Sequence, residues 1–400
     1  MDIDELKAHA PLVPYVKKFY SDKIPIVRET KNIAFARCVW HKEQTESLAL
    51  YANGSYKCFG CDEHGDIINL VQYMENLNFK EACKMIGDNI GYEVVIEPPN
   101  PIHEAYKDTM DNHTRRYWSN LQNNGPALKY LMFERGITKE SIDLFRLGLT
   151  DSEEYKYRSD IGNISNKIAF PILEGKHNNP KCLGIAYRSL TNEKPKYMND
   201  LNQEARENQD PLLDGVFIKG NLLYGLPLAY KSIAERGHVI LVEGYTDVIS
   251  MHQAGMTNTI GSMGTSVTEA QVKLIANLTS NVLLFLDSDK AGTNAMFKII
   301  KSLYEANLTV GVCILGEAND PADLCKKRNF DYYSVSSEIK NHTRQGIELI
   351  VNQSVKKYES IATTERTKAL NYAMPIIDAV QDPIIKEMYK SKLFKRLDIL

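Results

Sequence analysis

Between His238 and Leu315, short continuous apolar runs alternate with segments whose apolar residues recur at helical spacing. The apolar runs that predict strands are Val239–Val242, Asn258–Ile260, Val282–Leu286 and Val310–Leu315. The helical segments between them are Asp247–Gln253, Glu269–Leu278 and Thr293–Leu303. This alternation predicts a mostly parallel sheet covered by helices on both faces.

The pattern differs in the rest of the chain. Residues 103–236 mix helical patterns with strand-like runs such as Lys167–Leu173 and Cys182–Arg188, which predicts an α+β region. From Ser336 to Leu400 the pattern predicts helices and no strand. Near the N-terminus, three strand-like runs precede apolar residues at helical spacing from Ile67 to Met74; the runs are Ala34–Arg37, Leu48–Tyr51 and Ser55–Cys58.

Three prolines within Glu97–Pro101 interrupt these patterns and predict a linker, because proline fits neither a helix interior nor a central strand. We therefore predict a multidomain α/β and α+β protein. Its predicted parts are a small N-terminal module (residues 1–97), a linker (98–102), a basic α+β region (103–236), a parallel α/β region (237–330) and a helical region (331–400).

Composition narrows the class of protein. A chain of 400 residues, 43% of them hydrophobic, is expected to fold into two or three domains. The formal net charge of −3 argues against coating nucleic acid by bulk electrostatics, so any nucleic-acid site should be local. The acidic start and the short apolar runs predict a cytoplasmic protein without a signal peptide or membrane span. Seven cysteines, an odd number, favour reduced thiols and a metal site over disulfides.

The spacing of the cysteines suggests which metal the chain binds. Cys38 and His41 are separated from Cys58 and Cys61 by sixteen residues, so two closely spaced pairs can supply four ligands to a structural zinc ion. Gly60 is expected to allow a positive φ in the second turn. The alternatives are that these cysteines are ordinary buried thiols, or that His64 replaces His41.

A closed shell of four protein ligands leaves no open position for catalysis, so this zinc should hold a binding surface. Aromatic residues interleave with lysines near the ligands and could stack bases while the lysines neutralise phosphates. Alternatively, they form a small core around the metal. The residues are Trp40, Tyr51, Tyr56 and Phe59, with Lys42 and Lys57.

Three carboxylates, Glu243, Asp287 and Asp289, follow predicted strands, where open α/β sheets bind ligands. Clustered carboxylates suit Mg²⁺ or Mn²⁺, and two such ions could support phosphoryl transfer. Asp320 and Asp323 could add ligands, although an Asp-Pro-Ala-Asp string is also an ordinary turn. Gly264-Thr265-Ser266 precedes a predicted helix and could present N–H groups to phosphate. The alternative interpretation is that these acids cap helices or lie in solvated loops.

Residues 176–196 are rich in basic side chains and could line a groove for template or nucleotide phosphates, or be an ordinary solvated surface. The basic residues of this strip are Lys176, Lys181, Arg188, Lys194 and Lys196. Lys219 follows an acidic stretch at 200–215.

In this order, the pieces resemble the DnaG-like primases of bacteria and bacteriophages, over most of residues 30–325. The motifs that carry the resemblance are the four zinc ligands, Arg135-Gly136-Ile137, Pro195–Asn199, Lys219–Leu226, Glu243–Asp247, Gly264–Ser266 and Asp287–Gly292. The resemblance implies a zinc-binding domain and a Toprim-type RNA polymerase domain. It also implies Mg²⁺ ligands at Glu243, Asp287, Asp289 and Asp320. The residues implied in nucleotide and template contact are Arg188, Lys196, Tyr197, Asn199, Lys219, Tyr245, Gly264, Thr265 and Ser266.

Some positions depart from the family pattern. Val39 and Thr45–Leu48 stand where the family has proline-containing sequences, and extra residues separate Asn199 from Lys219. Asp323 is displaced by one residue from the family's usual position. We expect no helicase-binding domain of the family's usual kind, and such a short form is expected for a phage or mobile-element enzyme.

The expected function is synthesis of RNA primers for DNA replication from ribonucleoside triphosphates on a single-stranded DNA template, with a replicative helicase as partner. One alternative is a Toprim nuclease or topoisomerase-like enzyme. The other is a zinc-dependent single-stranded-DNA-binding replication scaffold.

Overall fold

The computed structural model divides the chain into two compact units, Met1–Asn100 and Pro101–Leu400. The structure describes residues 3–61, 63–77, 79–94, 101–151, 164–175, 180–190, 197–199, 217–264, 266–286, 292–315, 320–357 and 363–399.

The N-terminal unit is built on a five-stranded antiparallel sheet whose strands follow chain order. They are Ile26–Glu29 (β1), Ile33–Ala36 (β2), Leu48–Tyr51 (β3), Ser55–Cys58 (β4) and His64–Asp66 (β5). Four helices accompany the sheet: Ile3–His9 (α1), Leu12–Phe19 (α2), Ile67–Glu75 (α3) and Phe79–Ile90 (α4). Leu6, Val16, Leu50 and Val71 meet in its core, so apolar faces of helices and sheet bury one another. The predicted runs and the predicted helix of this module are confirmed.

The second unit begins with Pro101–Gln122 (α5), Gly125–Lys129 (α6), a π-helix over Tyr130–Glu134 and Lys139–Leu144 (α7). A four-stranded antiparallel sheet follows, in the order of its strands Gly148–Leu149 (β6), Lys167–Glu174 (β7), Lys181–Ser189 (β8) and Tyr197–Asn199 (β9). Helix α5 packs on β6 and β8. Both predicted strands of this region are confirmed, and nearly every residue of β7 and β8 is buried, which explains their continuous apolar pattern.

A second sheet carries the strands Val239–Val242 (β10), Thr259–Gly261 (β11), Asn281–Leu284 (β12), Thr309–Cys313 (β13) and Thr343–Gln345 (β14). Its helices are Leu226–Arg236 (α8), Tyr245–Gln253 (α9), Glu269–Ala276 (α10), Gly292–Glu305 (α11) and Pro321–Lys327 (α12). The order is β11-β10-β12-β13-β14, with β10 to β13 parallel, as predicted.

Strand β14 corrects the prediction that no strand follows Ser336. It pairs antiparallel with β13, Gly311 opposite Gln345. All three residues of β14 are polar and lie at the sheet edge, so no hydrophobic pattern marks them. Pairing with β13, not local sequence preference, makes this segment a strand.

Strand β10 is the topological switch of this sheet. From β10 the chain passes to β11 on one side and then crosses back to β12 on the other. Ligands of open α/β sheets bind at the carboxyl ends of strands at such a point. Glu243, which follows β10 directly, therefore lies at the expected place for a ligand site.

The chain continues with Tyr332–His342 (α13), Gly346–Lys357 (α14), Thr363–Ala379 (α15) and Pro383–Arg396 (α16). Ile350, Ala373 and Leu393 from three of these helices are fully buried in the same cluster as Val310 of β13. Among the described residues, no helix has both the length and the apolar composition to cross a membrane.

Candidate metal centres

Cys38, His41, Cys58 and Cys61 form the zinc site. Each offers one ligand atom, and these atoms all lie within 4.8 Å of one another. The Sγ atoms of Cys38 and Cys61 are 3.7 Å apart, and Sγ of Cys58 is 3.8 Å from Nδ1 of His41. A tetrahedron with metal–sulfur distances of about 2.3 Å has edges of about 3.8 Å, so the four side chains fit zinc. His64 is not part of this cluster.

Backbone amides surround the sulfur atoms. Trp40 N–H donates to Sγ of Cys38 at 3.3 Å, and the N–H groups of Gly60 and Cys61 donate to Sγ of Cys58 at 3.3 and 3.4 Å. Burial by itself would raise the pKa of Cys58, but hydrogen bonds from Ser47 and these amides outweigh it and lower the pKa. These contacts therefore favour the thiolate of Cys58, the form of this side chain that binds zinc.

The carboxylate of Glu43 organises the first ligand pair. Its Oε1 accepts hydrogen bonds from the N–H groups of Cys38, at 2.6 Å, and Ser47, at 3.2 Å. Its Oε2 lies 3.3 Å from Nε2 of His41. A carboxylate on one ring nitrogen orients the other toward a metal, so Nδ1 of His41 is the zinc ligand. We did not predict this role of Glu43 from the sequence.

Gly60 is needed for a different reason from the one predicted. Its φ lies outside the left-handed region, so the expected positive φ is wrong. A Cβ at this position would lie 2.6 Å from Nε2 of His41 and 3.1 Å from Oγ of Ser47. Glycine is required because the His41 ring occupies the space that a side chain would need.

The aromatic residues near the zinc divide into two groups. Trp40 stacks on Tyr56 with ring centroids 4.8 Å apart, and Tyr56 is buried, so these two form a small core beside the metal. Phe59, between the cysteines of the second pair, is 64% exposed. The remaining cysteines are core residues, as their lack of nearby partners in sequence suggested: Cys83, Cys182, Cys313 and Cys325.

The candidate magnesium site lies at the switch point. The carbonyl oxygen of Glu243 accepts a hydrogen bond from Met263 N–H at 3.1 Å, which fixes the loop after β10 against the loop after β11. Asp320 precedes α12, and its Oδ1 accepts a hydrogen bond from Asp323 N–H at 2.7 Å. Helix α9, which follows Glu243, packs on α12. The carboxylates of Glu243 and Asp320 are hard oxygen donors suited to Mg²⁺ or Mn²⁺.

Several predicted site residues lie outside the described part of the chain: Asp287, Asp289, Thr265 and Lys196. The strand that leads to the two aspartates is described. Leu284 pairs with Leu241 of β10, and Phe285 N–H donates to Leu241 O at 2.9 Å. The chain therefore leads toward Asp287 along β12, which pairs with β10, the strand directly before Glu243.

The basic strip is not an open row of cations where it is described. Arg188 is only 3% exposed, its guanidinium carbon lies 4.8 Å from the Tyr197 ring centroid, and its Nη1 donates to the Tyr197 hydroxyl. The ring centroid of Tyr197 in turn lies 5.6 Å from that of Tyr245, which is buried. Lys181 pairs with Asp108 at 2.8 Å and Asp111 at 3.5 Å.

Asn199 ends β9 opposite Ala186, and its side chain is not among those described. Ser266 is exposed in the loop before α10.

Lys219 lies beside the glycine loop. A Cβ on Gly264 would be 3.7 Å from Nζ of Lys219. Burial lowers the pKa of Lys219. Two side chains at the start of α10 hold this segment: Thr268 Oγ1 donates to Gly220 O, and Gln271 Nε2 donates to Leu222 O at 2.7 Å and Ser262 O at 3.2 Å. Thr268 and Gln271 form a capping box, a spacing that could have been recognised in the sequence.

Two families match this chain, the CHC2 zinc finger over residues 1–100 and the Toprim-like family over residues 240–325. Fold and sites thus define a protein that joins a CHC2 zinc module to a Toprim-like region. A DNA primase of Clostridium acetobutylicum is 26% identical over 414 residues, which cover 95% of this chain and 65% of that protein. The chain belongs to the DnaG-type DNA primases. These comparisons lend no support to the predicted phage or mobile-element origin.

Solved structures show the same fold. The crystal structure of the Aquifex aeolicus primase, comprising zinc-binding and RNA polymerase domains, matches with a TM-score of 0.60 at 23% identity. The match covers 100% of this chain and 98% of the Aquifex aeolicus chain. A DnaG primase catalytic domain bound to single-stranded DNA also matches with a TM-score of 0.60 at 23% identity, over 74% of this chain and 97% of that one.

Proposed function

We propose that this protein is a DNA-directed RNA polymerase that makes short RNA primers on single-stranded DNA for replication. The observation that carries the proposal is the position of Glu243 at the carboxyl end of the switch strand β10, beside the strand that leads to Asp287. A sheet edge of this kind gathers oxygen ligands from separate strands. Membership in the DnaG-type primases supports nucleotidyl transfer as the class of reaction.

Glu243, Asp287, Asp289 and Asp320 would hold two divalent ions, Mg²⁺ or Mn²⁺. When bound, such a pair stabilises the attacking and leaving oxygens of an in-line nucleotidyl transfer. Lys219 supplies a positive charge beside Gly264, where the backbone of Gly264-Thr265-Ser266 can receive nucleotide phosphates. Its partial burial strengthens attraction to an anion, because less water screens the charge.

The template is assigned to two parts of the chain. Exposed Phe59, on the second zinc turn, offers a ring on which a base can stack. Lys196 and Asn199 would contact the template or the nucleotide. Buried Arg188, hydrogen-bonded to Tyr197, would hold the start of β9 in place beneath them. A relative's catalytic domain binds single-stranded DNA, which supports the same ligand here. A replicative helicase is the proposed partner, and the five predicted domain ranges are part of this proposal.

The test is incubation of the zinc-loaded protein with single-stranded DNA, the four ribonucleoside triphosphates and Mg²⁺, scored for short RNA products. D287A is expected to abolish them. D382N, which removes a carboxylate that caps α16 far along the chain from the sheet edge, should preserve them. Wild-type primer yield from D287A contradicts the assignment. Metal-dependent DNA cleavage without nucleotides would favour the nuclease alternative, and DNA binding without synthesis the scaffold.

A further inference from the structure

One buried carboxylate joins the two described segments that carry proposed magnesium ligands. Asp247, in the first turn of α9, is 7% exposed. Its Oδ2 accepts a hydrogen bond from Gly244 N–H at 3.0 Å, and its Oδ1 accepts one from Ala322 N–H at 3.4 Å. Gly244 directly follows Glu243, and Ala322 is the second residue after Asp320. The side chain thus connects segments that lie 75 residues apart in sequence.

We propose that Asp247 is a positioning residue that fixes the separation of Glu243 and Asp320 for divalent-ion binding. This inference rests on the proposed function. An ionised carboxylate has two acceptor oxygens and no donor, which matches two backbone N–H groups. Ala322 follows Pro321, which has no N–H, so Asp247 receives the first N–H that α12 offers. Each oxygen therefore binds the start of a different helix, and moving one helix start disturbs the other.

Gly244 provides an independent observation. Its φ of −98° and ψ of 160° are extended values that any residue adopts. A Cβ on Gly244 would nevertheless lie 2.5 Å from Oδ2 of Asp247, too close for an unaltered hydrogen bond. The glycine is therefore explained by the approach of the carboxylate, not by backbone conformation. Residue 244 and residue 247 form one structural unit next to Glu243.

The two residues allow a test of positioning against direct ligation. In D247N, the amide keeps one acceptor oxygen but presents an NH₂ group to the other backbone N–H, so one connection is lost. In G244A, the Asp247 carboxylate remains but is displaced. If Asp247 acts through its contacts, both variants and the double variant should have the same defect. A direct ligand would be lost only in D247N.

The experiment measures Mn²⁺ binding to the zinc-loaded full chain by the electron paramagnetic resonance signal of free Mn²⁺. D247N and G244A should each weaken Mn²⁺ affinity about tenfold or more, the usual effect of removing a group that orients metal ligands. The double variant should be little weaker than either. Saturating Mn²⁺ should restore primer synthesis to D247N.

The matched control is D111N. Asp111 is also 7% exposed and accepts a backbone hydrogen bond, from Cys182 N–H at 2.9 Å, but belongs to the other sheet region of this unit. D111N should lower the thermal midpoint about as much as D247N does while keeping wild-type Mn²⁺ affinity. Equal weakening of Mn²⁺ binding in D111N and D247N would mean a general loss of stability and overturns the inference.

The remaining outcomes separate this inference from the proposed function. If the wild-type protein does not bind Mn²⁺ beyond its zinc, the proposed magnesium site fails. If the wild type binds Mn²⁺ and D247N binds it equally well, the positioning role is refuted and the site stands. Loss of binding in D247N with normal binding in G244A also refutes positioning and makes Asp247 a ligand.

Discussion

Nε2 of His41 lies 3.3 Å from Oε2 of Glu43. The same carboxylate accepts N–H groups from Cys38 and Ser47, so one side chain holds the ring of one zinc ligand and the backbone of another. Glu43 is two residues from His41 in sequence, yet its role depends on the turn that brings Cys38 back toward it. The zinc site is thus a unit of at least five side chains.

Replacing Glu43 with glutamine should weaken zinc binding. E43Q keeps the volume of the side chain but loses the negative charge beside Nε2 of His41, and an amide nitrogen would face one of the N–H groups. We expect zinc affinity to fall about tenfold. Competition with a chromophoric chelator measures it. E46Q, a change of charge on an exposed residue of the same loop, is the control and should bind zinc normally.

Gly60 offers a test of steric fit at the same site. In G60A the new methyl group would lie 2.6 Å from Nε2 of His41, so the ring must move away from the zinc position. We expect purified G60A to contain less zinc by elemental analysis. Gly54 has a φ of +89° and open space around it, so G54A adds backbone strain without touching a ligand. Normal zinc content in G60A would refute the steric explanation.

His252 should make stability depend on pH. It is buried beside Phe145, its Nε2 lies 2.8 Å from Thr259 O, and burial lowers its pKa to about 4. The unfolded chain, with a pKa near the ordinary 6.5, binds a proton first as pH falls. The free energy of unfolding is therefore not reduced by His252 above about pH 6.5. It falls as the pH is lowered from about 6.5 to 4, because the unfolded chain binds a proton that the folded protein does not. Between pH 7 and 5 the loss should be about 2 kcal/mol.

The measurement for His252 is urea unfolding of the wild type and H252Q at both pH values. Glutamine can still donate to Thr259 O but does not titrate. Zinc ligands also protonate at low pH, and comparing the two proteins cancels their contribution. Equal pH dependence in both would show that His252 has no such role.

Lys219 should contribute to nucleotide binding through charge. Removing a charge-assisted contact to phosphate typically costs about 1.5–3 kcal/mol, so K219A should weaken nucleoside triphosphate binding about tenfold or more. Fluorescence titration with a labelled nucleotide measures this. The control is K231A, because Lys231 is a highly exposed lysine paired with Glu235 on α8. Unchanged affinity in K219A contradicts the proposed place of the phosphates.

Much of the fold could be predicted because the pattern is local. Strand β10 is buried along its whole length and appears as a continuous apolar run, and the close spacing of each zinc-ligand pair is a property of one turn. Strand β14 could not be predicted, since its three polar residues become a strand only by pairing with β13. The expected positive φ of Gly60 was wrong because the constraint comes from the His41 ring and not from the backbone.

The sequence by itself determined the zinc ligands, the parallel α/β region and the carboxylates that follow its strands, because each depends on neighbours a few residues away. Only the tertiary structure decided which distant groups meet. Lys219 comes beside Gly264 because Thr268 and Gln271 tie its segment to α10. Arg188 turns inward onto Tyr197, and Asp247 reaches Ala322 across 75 residues. Such contacts arise from the packing of whole elements, which no local spacing encodes.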